Sequence, residues 1–456
     1  MRDFDLARTT LGRPPRLGAL STTGCDDFDY APGQPNLFMM MSFRHFLVRE
    51  YGIGAGFSLY RQVIAPHRHA SLKRLRLESH HTYCAARAST FREIFPAGEP
   101  IAVPPPRVIG HGNHRTLTNT SRSCFVACID NAVVRGRSSI IEAGGMALAD
   151  FQGDELARID DEMEFDSAVF HRDGDQIWVI AEERPARRME TAFSLLGQRT
   201  DFFGDWLGES ISKYVAATLR GDLPPVPILI DACMPRTHRQ ALELMLPGDV
   251  EIIEIPAFET VQVERLWSVS AVNYMAFHQQ QNQRFKWDYF LTSPKTDVAI
   301  NDEMIGRVDL HLGDRRGPER VFLARKAFRH RKLVNHLEIE AMAAEAGFAV
   351  VYPEDLDFID QASLLRSARF VIAPEGSAFF LAAFLKPGAR ACLFNHQETE
   401  GMALYSGWCA LMDIDLTIIT GPLAGPHHVP QHVDYRIDTD VFRRLLAEWA
   451  PDSNGS

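Results

Sequence analysis

Residues 320–394 read RVFLARKAFRHRKLVNHLEIEAMAAEAGFAVVYPEDLDFIDQASLLRSARFVIAPEGSAFFLAAFLKPGARACLF. Short apolar runs alternate here with stretches of helical spacing. The pattern predicts strands at Arg320–Ala324, Ala349–Tyr352, Phe370–Ala373 and Arg390–Phe394, with helices at Leu333–Ala346, Asp360–Ser367 and Ser377–Leu385 between them. Gly347 stands where a helix end calls for a residue that turns left-handed. Such alternation means an α/β unit around a parallel sheet, with its ligand at the carboxyl ends of the strands.

Two segments at those ends carry chemistry. In Phe370–Gly388 an apolar strand stops at Pro374, and Glu375-Gly376-Ser377 turns directly into a helix. Gly376 allows close approach to the backbone, and the first N–H groups of the helix, at Ser377 and Ala378, favour an anion such as a diphosphate. A plain βα turn that needs a glycine and binds nothing is the competing reading. In Val321–Glu340, Arg325, Lys326, Arg329, Arg331 and Lys332 crowd together directly after a strand, in an otherwise acidic chain. Guanidinium groups grip phosphate oxygens through forked hydrogen bonds. A solvated basic turn is the alternative; it suits Lys326 and Lys332 better than Arg325 and Arg331.

Upstream, Pro227–Asp231 and Val250–Ile255 flank the helical segment Arg236–Leu246, a βαβ unit, and Asp205–Leu219 is helical. Short runs at Cys124–Ile129, Ala132–Val134, Ser139–Glu142 and Met146–Leu148 predict a meander of strands. The expected organisation is a lead-in over 1–35, an N-terminal appendage over 36–110, a β-meander with a Rossmann-like unit over 111–317, a second Rossmann-like unit over 318–425, and a C-terminal segment over 426–456 that packs back on the first half.

Composition narrows the class. The 456 residues are 46% hydrophobic and 23% charged, a globular balance. A net charge of -11 argues against a nucleic-acid binder. The seven cysteines make no CxxC pair or zinc spacing, which fits free thiols in a reducing compartment. No apolar run approaches the roughly 20 residues that span a bilayer, and Met1–Pro35 has no signal-peptide core. Cytoplasmic residence is the expectation. A homodimer is compatible with the sequence, which fixes no oligomeric state.

The stretch Arg320–Gly388 resembles glycosyltransferase family 61, the type known from capsular polysaccharide biosynthesis, as a divergent, bacterial-like member. The residues that carry the resemblance are Arg325, Arg331 and Asn335; Gly347-Phe348, Pro353-Glu354, Leu356 and Gln361; then Ala368, Gly376, Phe384 and Pro387-Gly388. Upstream, Asn131 to Gly136 and Phe203-Gly204-Asp205-Trp206-Leu207 are fainter echoes. The chain departs from the pattern at Asp205 and Glu375, where the family usually has histidine, and at Leu381, where it usually has asparagine.

The resemblance implies a GT-B-like fold, with two Rossmann-like domains facing a cleft. It also implies an inverting, metal-independent transfer of sugar from a nucleotide-sugar co-substrate, with no cofactor, to a glycan or lipid-linked acceptor. Donor-binding positions are then Arg325, Arg331, Asn335, Glu354, Gln361, Pro374, Glu375, Gly376, Ser377 and Ala378. The acceptor hydroxyl needs a base, for which Asp205, Glu209 and Glu375 are candidates, Asp205 first. An N-cap role for Asp205 is the competing reading. A non-catalytic sugar- or nucleotide-binding scaffold and a nucleotide-sugar epimerase are the rival functions. The Asp355/Asp357 and Asp413/Asp415 pairs are too commonplace to imply a metal, and His67, His69, His80, His81 and Cys84 form a histidine-rich patch better read as surface than as a zinc site.

Overall fold

The computed structural model describes residues 37–63, 69–112, 115–151, 163, 166–182, 187–219, 223–272, 274–275, 290–291, 293–326, 331–396, 403–425 and 433–449. The expected lead-in, Arg329 and His67 lie outside them. The fold is mixed α/β, organised around two large sheets.

The first sheet has 11 strands among the described residues. Its chemistry-bearing part comprises β1 (Cys124–Arg135), β2 (Arg187–Ser194), β3 (Ile228–Asp231), β4 (Ile252–Ile255) and β5 (Thr260–Val269). Strands β4-β3-β2-β5 lie side by side and parallel, so chain order reverses between β2 and β5. β1 pairs antiparallel with β5 and passes the sheet on to the meander Ile141–Ala143, Met146–Ala149, Ser71–Ser79, Gln176–Ala181 and Val169–Asp173. The meander is thus continuous with the parallel strands. β1 is one strand of 12 residues where the sequence suggests two runs, since Asn131 takes φ 53 within it and pairing resumes on either side.

Among the described residues the second sheet has six strands, all parallel: β6 (Arg320–Leu323), β7 (Ala349–Val351), β8 (Phe370–Pro374), β9 (Arg390–His396), β10 (Asp415–Gly421) and an edge strand, Arg107–Ile109, from the expected N-terminal appendage. The order is β7-β6-β8-β9-β10, with its switch point between β6 and β8. These strands are nearly continuous apolar runs because helices cover both faces of the sheet.

The last helix, Thr439–Glu448, starts at Asp438, whose carboxylate accepts from the N–H groups of Asp440 and Val441. Its stripe Phe442, Leu445, Leu446, with Trp449 just beyond, packs among Phe322, Phe348, Ile372 and Phe394. It therefore covers the second sheet, and the expected return across the first half does not occur. The apolar spacing of the helix matches the uncovered face of its own sheet, and Arg320 fixes the end by donating to the Trp449 carbonyl (2.5 Å).

The two halves share one hydrophobic core, which runs from Phe193, Trp206 and Tyr214 to Phe358, Phe379, Phe384 and Tyr405. Across that core the helix that begins at Phe203 packs against the short 3₁₀ helix Ser377–Phe384. The sequence suggests an α-helix for the latter. A Cβ on Gly204 would lie 2.7 Å from the Phe380 ring, and one on Gly208 would lie 3.2 Å from it. The two glycines, a helical turn apart, form a slot for that ring. Gly204→Ala should cost about 1–3 kcal/mol of stability by overpacking. Denaturant melts should show most of that cost removed when Phe380→Leu is added, a coupling that independent sites lack.

Candidate active site

The first cluster forms at the β2/β5 switch point, where the loop 195–200 leaves β2. Asp231, at the end of β3, holds this loop by accepting from Gly197 N–H (3.1 Å), Thr200 Oγ (2.6 Å) and Arg137 N–H (2.5 Å). The loop presents Arg199 to Glu209 at 3.0 Å and to Asp205 at 3.8 Å. Both carboxylates lie on the helix of Phe203–Thr218, whose central stretch Trp206–Ile211 is π-helical. Asp205 and Glu209 stand four positions apart on it, and both reach Arg199. Trp206 anchors the helix, fully buried, with Nε1 donating to the His238 carbonyl (2.8 Å).

A cavity of about 120 Å³ opens onto this cluster; its walls include Asp150, Gln198, Arg199, Asp205, Glu209 and Lys213. The N-cap reading of Asp205 fails, because the cap position is Phe202 and the Asp205 side chain makes no capping bond. Burial pushes the Asp205 carboxyl up to about 7; Arg199 opposes the shift, and Glu209 and Asp201 add to it. A carboxyl so placed is poised to exchange a proton near neutrality.

The second cluster forms at the β6/β8 switch point. Arg325 follows β6, and its guanidinium lies across Gly376, donating to the Glu375 carbonyl at 3.5 Å. A Cβ on residue 376 would sit 3.3 Å from Arg325 Nη1, so the glycine admits the arginine. Arg331, held in a left-handed conformation at φ 55, donates to the Glu375 carboxylate, while its Nε is buried with no partner. Glu375 strengthens the charge on Arg331, whereas burial and the nearby Arg331 weaken it on Arg325. Pro374 ends β8, and Ser377 and Ala378 open the 3₁₀ helix, half-buried. Glu354 stands exposed on the rim, accepting from the Lys326 N–H at 3.3 Å.

Two expected contacts serve the frame instead. Asn335 is buried, and its amide donates to the Ile437 carbonyl (2.9 Å) and accepts from the Ile437 N–H (3.2 Å). It pins the segment that carries Tyr435. Gln361, also buried, donates to the carbonyls of Pro353 (2.8 Å) and Leu356 (3.3 Å), fixing the turn that carries Glu354. Their side chains shape the site from behind.

Sequence reading missed Tyr405 and Tyr435, both buried, with phenol groups that burial pushes above the usual range. Tyr405 lies in the field of Glu375 and Arg331 from one cluster and of Asp205 from the other. It packs on Phe379 and Phe380, so the two clusters meet across these rings. Arg199 and Lys213 were also missed. The rule that singled out Arg325, a basic residue just past a strand, would have found Arg199 had β2 been recognised. The histidine patch is divided: His69 is exposed and His81 half-buried, whereas Cys84 is buried and His80 is buried against Ser268 (2.9 Å), where burial drives it down to about 4. Asp355 pairs with Lys326 and Asp357 with Arg236.

Asp205 holds its proton in the folded state up to about pH 7, while the unfolded chain loses it at the ordinary carboxyl value. The folded state therefore binds more protons between those values, and stability falls as pH rises across that window. Asp205→Asn should raise Tm above pH 7 by about 2 °C or more and should change it little at acidic pH. In carboxyl NMR titrations, Glu209→Gln should lower the Asp205 midpoint and Arg199→Ala should raise it.

The family model for Glycosyltransferase 61 matches residues 201–392, a span that holds Asp205, Glu209, Arg325, Arg331 and Glu375. A search of curated proteins returned no match. Among the described residues, no helix is long and apolar enough to cross a membrane. Asp205 and Glu209 of the first cluster and Arg325, Arg331 and Glu375 of the second fall inside the matched span, with Arg199 just outside it, and over residues 201–392 the chain is similar to glycosyltransferase family 61.

Proposed function

We propose that the protein moves a sugar from a nucleotide-activated donor to a glycan or lipid-linked acceptor with inversion, in the making of a surface polysaccharide inside the cell. The observation that carries the donor side is Arg325 lying across Gly376, with Arg331 beside it, at the switch point of a fully parallel sheet. Crevices at such points in parallel α/β sheets bind nucleotides. Breaking the sugar–phosphate bond leaves growing negative charge on phosphate oxygens. Two guanidinium groups and the first amides of the helix at Ser377 and Ala378 stabilise that charge without calling on a metal ion.

The acceptor side is the cavity at the first switch point. Asp205 takes the proton of the attacking hydroxyl while the oxygen approaches the anomeric carbon opposite the leaving phosphate. The new glycosidic bond forms as the sugar–phosphate bond breaks, and configuration inverts. A midpoint of about 7 suits this base. Glu209 and Arg199 set its charge, and Tyr405 spans the two sides. In this reading the two sheets are the halves of a GT-B-like enzyme, with their strand ends turned toward each other.

Asp205→Asn should lower kcat by about a hundredfold or more, the scale of a lost general base, with nucleotide binding retained. Arg325→Ala and Arg331→Ala should instead abolish the thermal shift that nucleotides give. A wild type that answers no nucleotide or nucleotide-sugar would refute the reading, as would variants that respond like the wild type.

A further inference from the structure

We infer that the cavity beside Asp205 holds one sugar ring of the acceptor by neighbouring hydroxyls, which donate to Asp150 and Gln198 and accept from Lys213. The inference rests on the acceptor reading above and adds what the acceptor must offer there: a neutral, hydroxyl-bearing ring rather than an acid, an amine or an isoprenoid end.

Three side chains from three elements meet on the wall of this cavity. Asp150 follows the meander strand Met146–Ala149. Its carboxylate accepts from the Ala271 N–H, while Oδ1 is buried without a hydrogen bond, 3.6 Å from Arg122 Nη2. Gln198 stands on the loop 195–200 between two residues that Asp231 pins, Gly197 (3.1 Å) and Thr200 (2.6 Å). Its Oε1 is also buried with no partner. Lys213 lies half-buried on the helix that carries Asp205 and Glu209, and the three follow one another at four-residue steps along the cavity. Among the described residues, Lys213 makes neither an ion pair nor a hydrogen bond.

The polarity of these groups selects the ligand. Burial raises the Asp150 carboxyl, but Arg122, His80 and Lys213 outweigh burial and hold it below its usual value. It is therefore a carboxylate, which only accepts, whereas an ammonium only donates. A phosphate or carboxylate would satisfy Lys213 and turn its lone pairs on the Asp150 and Gln198 oxygens. An amine would do the reverse. A hydrocarbon would leave all three without partners, which is costly in a buried place. A hydroxyl both donates and accepts, so adjacent hydroxyls on one ring can serve the two oxygens and the ammonium together. At about 120 Å³ the cavity is several times the ~10–15 Å³ that one water needs. Asp205 lines the same space, so a hydroxyl of a ring held there stands beside the proposed base.

Saturation-transfer NMR and calorimetric titration of the full chain near neutral pH would test this. The methyl glycosides of glucose, galactose, mannose and N-acetylglucosamine would be compared with methyl glucuronide, glucosamine and farnesyl phosphate, each with and without UDP. The set would be repeated on Asp150→Asn, Gln198→Ala and Lys213→Met, with a thermal melt to check each fold. Gln198→Ala and Lys213→Met remove no hydrogen bond of the frame among the described residues. At least one neutral glycoside should bind, and each variant should weaken it about fivefold or more while keeping the thermal shift that nucleotides give. Glycoside binding that the variants leave untouched overturns the inference. So does a preference for the glucuronide, glucosamine or farnesyl phosphate over every neutral glycoside. Silence toward all the sugars while nucleotides still bind overturns it too, and leaves the donor reading standing. Silence toward sugars and nucleotides alike overturns both.

Discussion

The ring of Phe380 against Gly204 and Gly208 is the contact on which the proposed site depends. It brings a helix of the first sheet within side-chain distance of the turn that ends β8. Without bare backbone at those two positions the ring would have no seat, and Asp205 would stand farther from Tyr405 and Glu375. The shared core around this contact, with Phe358, Phe379 and Phe384, makes the approach a property of packing rather than of a hinge at this point. A glycine placed for close approach is doing in the joint what Gly376 does under Arg325.

Two carboxyl groups show how position within this frame decides chemistry. Asp231 is buried at a strand end and takes three hydrogen bonds, which turns it into a post for the loop 195–200. Asp205 is half-buried beside one cation and two other carboxylates, which raises its carboxyl toward neutrality. Both are aspartates near the carboxyl ends of parallel strands. What separates them is the number of donors each one meets, a quantity that composition does not contain.

The four strands β6 to β9 were legible because each reads as an apolar run with a helix between, whereas β10 and the edge strand Arg107–Ile109 were not found. Arg325, Arg331 and Gly376 were legible because the residue that follows a parallel strand points into the crevice. β2 was hidden: its sequence RRMETAFS begins with charges at a half-covered place in the sheet and has no clean period. Arg199 was lost with it. Tyr405 and Tyr435 reach the site by tertiary packing alone, and nothing in their local sequence announces it. Asn335 and Gln361 illustrate the opposite limit. Their positions were found, yet only hydrogen-bond partners reveal that both hold backbone in place. The last helix was assigned to the wrong face because an apolar stripe specifies that a partner exists without saying which.

The clasp between Asn335 and Ile437 spans 102 positions of the chain. Tyr435, which that clasp holds near the arginines, belongs to a stretch that the ribosome makes after every strand of both sheets. The first sheet and most of the second can therefore assemble on a nascent polypeptide while the crevice still lacks one wall. Binding competence would follow only when this later segment closes over sheets already made.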